Sequence, residues 1–104
     1  MLNQEQIQQL IANGLFEFSA HALRRVVERN ISEREIREAG VNVEIIENYP
    51  EDKYSPSCLC LGFSVARRPI HVQVCFSESD LLKIVTIYEP DPDDWMDWRT
   101  RRPR

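Results

Sequence analysis

Apolar residues recur at helical spacing along the first forty positions and at strand spacing after Val43, so helices should come first and strands second. Ile7, Leu10 and Ile11 form one stripe behind an Asn3/Gln6 capping pair, and Asn13-Gly14 supplies the stop; a helix is expected over about 3–13. Ser19 is a good N-cap for a second helix over about 19–30. There the 100° period gathers Ala20, Ala22, Leu23, Val26 and Val27 on one side and His21, Arg24, Arg25, Glu28 and Arg29 on the other. Asn30 tolerates the left-handed conformation that ends a helix. Ser32 and Glu35 then form a capping box for a third helix over about 32–40, with Ile36 and Ala39 facing inward.

From Val43 the period becomes two. Strands are expected at about 43–48, 57–65, 69–77 and 82–89, separated by turns at Asn48–Asp52, Arg67–Pro69 and Ser77–Asp80 and stopped by Pro90 and Pro92. Helices followed by a meander indicate an α+β domain with a four-stranded, mostly antiparallel sheet. Leu59, Leu61 and Phe63 are expected to share a buried face with Ile70, Val72, Val74, Val85 and Ile87. His71, Gln73, Thr86 and Tyr88 then share the opposite face, near enough to form one polar patch.

Composition narrows the class. With 104 residues, 42% hydrophobic and 29% charged, the chain fits one globular domain, 1–104. The net charge of −4 argues against general coating of nucleic acid, although charge is segregated. Asp91, Asp93, Asp94 and Asp97 precede Arg99, Arg101, Arg102 and Arg104, and residues 96–104 read as a candidate flexible, arginine-rich tail. Trp95 is expected to dock this tail on the core. Three cysteines without C-x-x-C spacing suggest reduced, buried thiols rather than a disulfide framework or a zinc site. The N-terminal stretch carries no basic region or long apolar run, so a cytoplasmic protein without a membrane span is expected. The Asp91–Asp97 run lacks the glycine and terminal glutamate of a calcium loop, and neither metal nor cofactor is expected.

Two groups of residues carry candidate chemistry. His21, Arg25 and Arg29 lie at i, i+4 and i+8 along one helical ridge; a solvated helix face is the ordinary reading of such a ridge. His71 lies on a strand, where a half-exposed histidine is equally ordinary. Histidine moves protons near neutral pH and arginine forks onto phosphate, a pairing that suits metal-free cleavage of RNA by its own 2′-OH. Trp98, Arg101 and Arg102 could stack on and hold single-stranded RNA, or bind a partner protein.

Four segments carry a family resemblance: Phe18–Ser32, Ile46–Asp52, Arg68–Val72 and Ile87–Trp95. In this order they resemble the bacterial domain-of-unknown-function family 4258, whose members are similar to small toxins of type II toxin–antitoxin pairs. The resemblance implies a RelE-like ribonuclease fold, an RNA target and a zinc-finger antitoxin partner. It implies His21, Arg25, Arg29, His71 and Tyr88 as catalytic residues; the polar-patch residues Gln73 and Thr86 and the tail residues Trp98, Arg101 and Arg102, read from the chain itself, are the candidate substrate contacts. Asn30 stands where the family pattern leads one to expect glycine. The acidic net charge suits an alternative, a non-catalytic binding or regulatory module of the same ancestry.

Overall fold

The computed structural model describes residues 3–53, 55–77 and 79–103. Glu78 of the expected last turn and Arg104 of the expected tail lie outside the described residues. The elements run α1 (Gln4–Ala12), β1 (Phe16–Phe18), α2 (Ala20–Glu28), α3 (Glu33–Gly40), β2 (Glu44–Tyr49), β3 (Ser57–Phe63), β4 (Pro69–Phe76), β5 (Leu82–Tyr88), β6 (Trp95–Met96) and β7 (Thr100–Arg101). The three helices begin at caps legible in the sequence: the Asn3, Ser19 and Ser32 side chains accept from the backbone N–H groups of Gln6, Ala22 and Glu35. Gly14 and Asn30, at φ 74° and 53°, turn the chain out of α1 and α2 in the left-handed conformation.

The fold is α+β, but its main sheet has five strands and is mixed, in the order β1-β5-β4-β3-β2. The additional strand, β1, pairs parallel to β5, Phe16 beside Leu82 and Phe18 beside Ile84. At three residues it is too short to show an alternation, and a partner so far along the chain leaves no local sequence signal. A second, two-stranded sheet joins β6 to β7. Among the described residues, no helix is long and apolar enough to cross a membrane.

The strand register corrects one expectation. Cys58, Cys60 and Gly62 lie opposite Val74, Val72 and Ile70, so these residues, not Leu59, Leu61 and Phe63, face the helices. They join Ile7, Ile11, Ala22, Ile36, Ala39, Ile84 and Ile87 in the core. β3 is buried on both faces, so its large–small alternation records how closely each layer approaches rather than which side is wet. The helix side needs small residues: a Cβ on Gly62 would sit 2.5 Å from the Ala39 carbonyl oxygen, and one on Gly40 2.7 Å from the Ala12 nitrogen. Val85 is also displaced. A bulge between Gln73 and Val74 on one strand and Ile84 and Thr86 on the other puts Ile84 into the core in its place, while Ile87 keeps its expected position.

α2 departs further. Only Ala22 of its apolar residues is buried, whereas Leu23 is 53% and Val27 76% exposed. The expected apolar side of this helix is therefore largely in solvent.

Candidate functional site on the second sheet face

The face of the sheet away from the core carries Leu59, Leu61, His71, Gln73, Thr86 and Tyr88, because His71 lies opposite Tyr88 and Gln73 opposite Thr86. A bulge at Ile46 turns Glu44 and Glu47, three residues apart, onto this same face together with Tyr49. The β6–β7 hairpin closes over one end of it.

The hairpin turn explains its own docking. Asp97 and Trp98 have φ of 49° and 65°, and the Arg99 N–H donates to the Met96 carbonyl, a tight turn within a three-residue connection, Asp97 to Arg99. It places Trp95 and Arg101 opposite each other. Trp95 is buried edge-on against His71, with ring centroids 4.4 Å apart, and the Arg101 guanidinium lies 4.7 Å above the Trp95 ring. Arg99 pairs with Glu44 at 2.6 Å and Arg101 with Glu47 at 2.9 Å, so the bulge in β2 presents two carboxylates to two arginines. The hairpin of residues 95–101 thus supplies a clasp over the sheet.

His71 is fully buried beneath this clasp. Its Nε2 lies 2.6 Å from the Trp98 carbonyl oxygen and its Nδ1 3.2 Å from the Tyr88 hydroxyl. A carbonyl only accepts, so Nε2 carries the proton; in the neutral ring Nδ1 then accepts from Tyr88. Burial pushes the His71 pKa down, with Arg101 in the same direction, while the Trp98 carbonyl and Glu47 oppose. Burial likewise raises the Tyr88 pKa, which keeps its hydroxyl protonated. Both ring nitrogens are engaged inside the protein, and neither meets solvent.

Around Arg101 the face is polar and open. The Glu47 carboxylate accepts from both Arg101 and Tyr49. Burial raises its pKa, and those hydrogen bonds together outweigh the burial to leave it below the usual value. Tyr49 is pushed up to about 12, first by burial and then by its bond to Glu47. Gln73 donates to Asp52 and Ser57 at 3.2 and 3.0 Å. Two surface depressions share Arg101 as a wall. One, of about 470 Å³, is lined by Tyr88, Asp94, Trp95 and Arg102; the other, of about 570 Å³, by Tyr49, Asp52 and Gln73 among others. Arg102 is tied back to the Pro92 carbonyl at 2.8 Å.

The helix ridge does not join this group. His21 and Arg29 are exposed, and Arg25 lies 3.8 Å from Glu28. Among the described residues, no hydrogen bond, ion pair or depression connects His21, Arg25 or Arg29 to His71, Gln73, Thr86 or Tyr88. Sequence reasoning passed over Glu47 and Tyr49. Their i, i+2 spacing on a strand was the available signal, within a segment otherwise read for its turn. Cys58, Cys60 and Cys75 are free and buried, and no three His, Cys, Asp or Glu side chains among the described residues gather as metal ligands.

Fold and site together define a small α+β protein whose sheet carries a core on one face and a clasped polar surface on the other. Residues 18–89, more than half of the chain, match the family described as a domain of unknown function, DUF4258, and the chain belongs to that family. No curated protein and no solved structure matches it.

Proposed function

We propose that the chain is a metal-independent endoribonuclease of the toxin type, with RNA lying across Arg101 on the open sheet face. The observation that carries this reading is the position of Arg101, an exposed guanidinium forming the common wall of two depressions lined by Glu47's partner Tyr49, Gln73 and Tyr88. Cleavage through the 2′-OH needs few groups: a base for the 2′ proton, a cation for the phosphate and an acid for the 5′-oxygen. The 2′-oxygen bonds to phosphorus as the bond to the 5′-oxygen breaks, leaving a 2′,3′-cyclic phosphate and a 5′-hydroxyl.

A phosphodiester taking the place of Glu47 on the Arg101 fork would free that carboxylate as the base. Tyr88, kept protonated by burial, is the acid, its O–H turning from His71 Nδ1 to the 5′-oxygen when RNA binds. Gln73, Thr86, Trp98 and Arg102 hold flanking nucleotides, and His71 acts through Tyr88 and the hairpin as a positioning residue. RelE-like ancestry, a cytoplasmic setting and a zinc-finger antitoxin partner belong to the same reading, supported by the family resemblance.

The test is single-stranded RNA incubated with the purified protein in EDTA. Cleavage to cyclic-phosphate ends is expected, stopped by 2′-deoxy substitution at the cut and slowed about 100-fold or more by Arg101→Ala in a folded variant. A wild-type protein that leaves the RNA intact sinks the proposal. One observation favours a second reading, a non-catalytic binding module: His71 and Arg101 are both already engaged by partners of their own chain. Tight complex formation with a partner protein, without cleavage, would favour that module.

A further inference from the structure

We propose that the outer face of α2 is a docking surface for an acidic, amphipathic helix of a partner protein. α2 is amphipathic about the wrong axis for its own core. Ala22 and Val26 alone turn toward the sheet, while Leu23 and Val27, one turn apart and about 100–140° round from Ala22, stand 53% and 76% exposed. Two aliphatic side chains at i and i+4 are the spacing with which one helix receives another. Exposed Ala20 lies on the same side and allows close approach.

Charge selects the occupant. Residues 20–29 carry Arg24, Arg25 and Arg29 against Glu28 alone, in a chain whose net charge is −4. Arg24, next round the helix from Val27, is exposed and makes no ion pair among the described residues, and the same holds for Arg29. Arg25 meets Glu28 only at 3.8 Å. A cationic border on an otherwise anionic protein complements carboxylates on the incoming helix and steers their approach. RNA fits this surface less well. Leu23 and Val27 offer phosphate nothing, and the one aromatic ring of α2, His21, lies about 160° round the helix from Leu23, away from this surface. The surface is independent of the proposed ribonuclease site, whose residues α2 does not supply.

The experiment titrates the full-length isotope-labelled protein with a synthetic helical peptide carrying leucines at i, i+4 and i+7 flanked by glutamates. Saturable shifts confined to α2 are expected, with affinity falling about tenfold in Val27→Asp, roughly the 1–2 kcal/mol of a lost apolar contact. Arg24→Glu should weaken the glutamate-flanked peptide and improve binding of a lysine-flanked one. The proposal is overturned by any of four results: no saturable binding, equal binding of the two peptides to the wild type, the same α2 shifts produced by single-stranded RNA, or self-association abolished by Val27→Asp.

Discussion

His71 is the residue on which the second face of the sheet turns. Water does not reach it, so its two nitrogens depend on the Trp98 carbonyl and the Tyr88 hydroxyl, and burial disfavours the charged ring. Burial lowers its pKa from the ordinary 6.5. The unfolded chain therefore takes up a proton near 6.5 that the folded chain resists until lower pH, and stability falls as pH drops through that window. Thermal midpoints measured at pH 7.5 and 5.5 should differ, and the difference should shrink in His71→Gln, which keeps a donor for the carbonyl without titrating. An unchanged pH dependence in that variant would show that another group sets it. Glu35 and Glu47, whose pKa values are lowered from 4.5, lose their contributions only below that value, outside the interval tested.

Elements decide how much of this was legible in advance. Caps and stops were readable because Asn3, Ser19, Ser32 and Asn30 act on their own neighbours. The polar chemistry on the sheet was partly readable: His71, Gln73, Thr86 and Tyr88 fell on one face as their alternation required, but Glu47 and Tyr49 depended on a bulge that no alternation announces. β3 was assigned to the wrong face because Leu59 and Leu61 are as buried as Cys58 and Cys60, and size rather than polarity distinguishes the sides. The ridge on α2 was placed correctly along the helix, yet whether it met the sheet histidine was a matter of tertiary position. The packing of α3 on β3 gives a test at this scale. Gly62→Val would drive a side chain into the Ala39 backbone and the Val43 side chain, and should cost about 1–3 kcal/mol by chemical denaturation. A variant as stable as the parent would mean that α3 can move away at no cost.

At the scale of the molecule, two layers are joined by unlike forces. The helix side is held by apolar burial, with Ile7, Ile11, Ile36, Ile84 and Ile87 at most 2% exposed. The clasp adds to Trp95 two part-exposed ion pairs, Arg99–Glu44 and Arg101–Glu47. Pairs of this kind contribute roughly 0.2–1 kcal/mol and weaken with salt. Amide exchange across residues 95–101 should therefore quicken by up to about fivefold in 1 M salt, while α1 and α3 change little; uniform acceleration throughout the chain would contradict a salt-sensitive clasp.

The parallel pairing of Phe16–Phe18 with Leu82–Ile84 has a consequence in time. As the polypeptide leaves the ribosome at about 5–20 residues per second, the two phenylalanines are made roughly 3–13 s before the strand they will lie against. Until then neither has its native neighbour, and the helices between them must mature beside an unfinished sheet edge. In that interval the aromatic Phe-Glu-Phe segment, once outside the tunnel, is open to whatever binds hydrophobic chains at the exit.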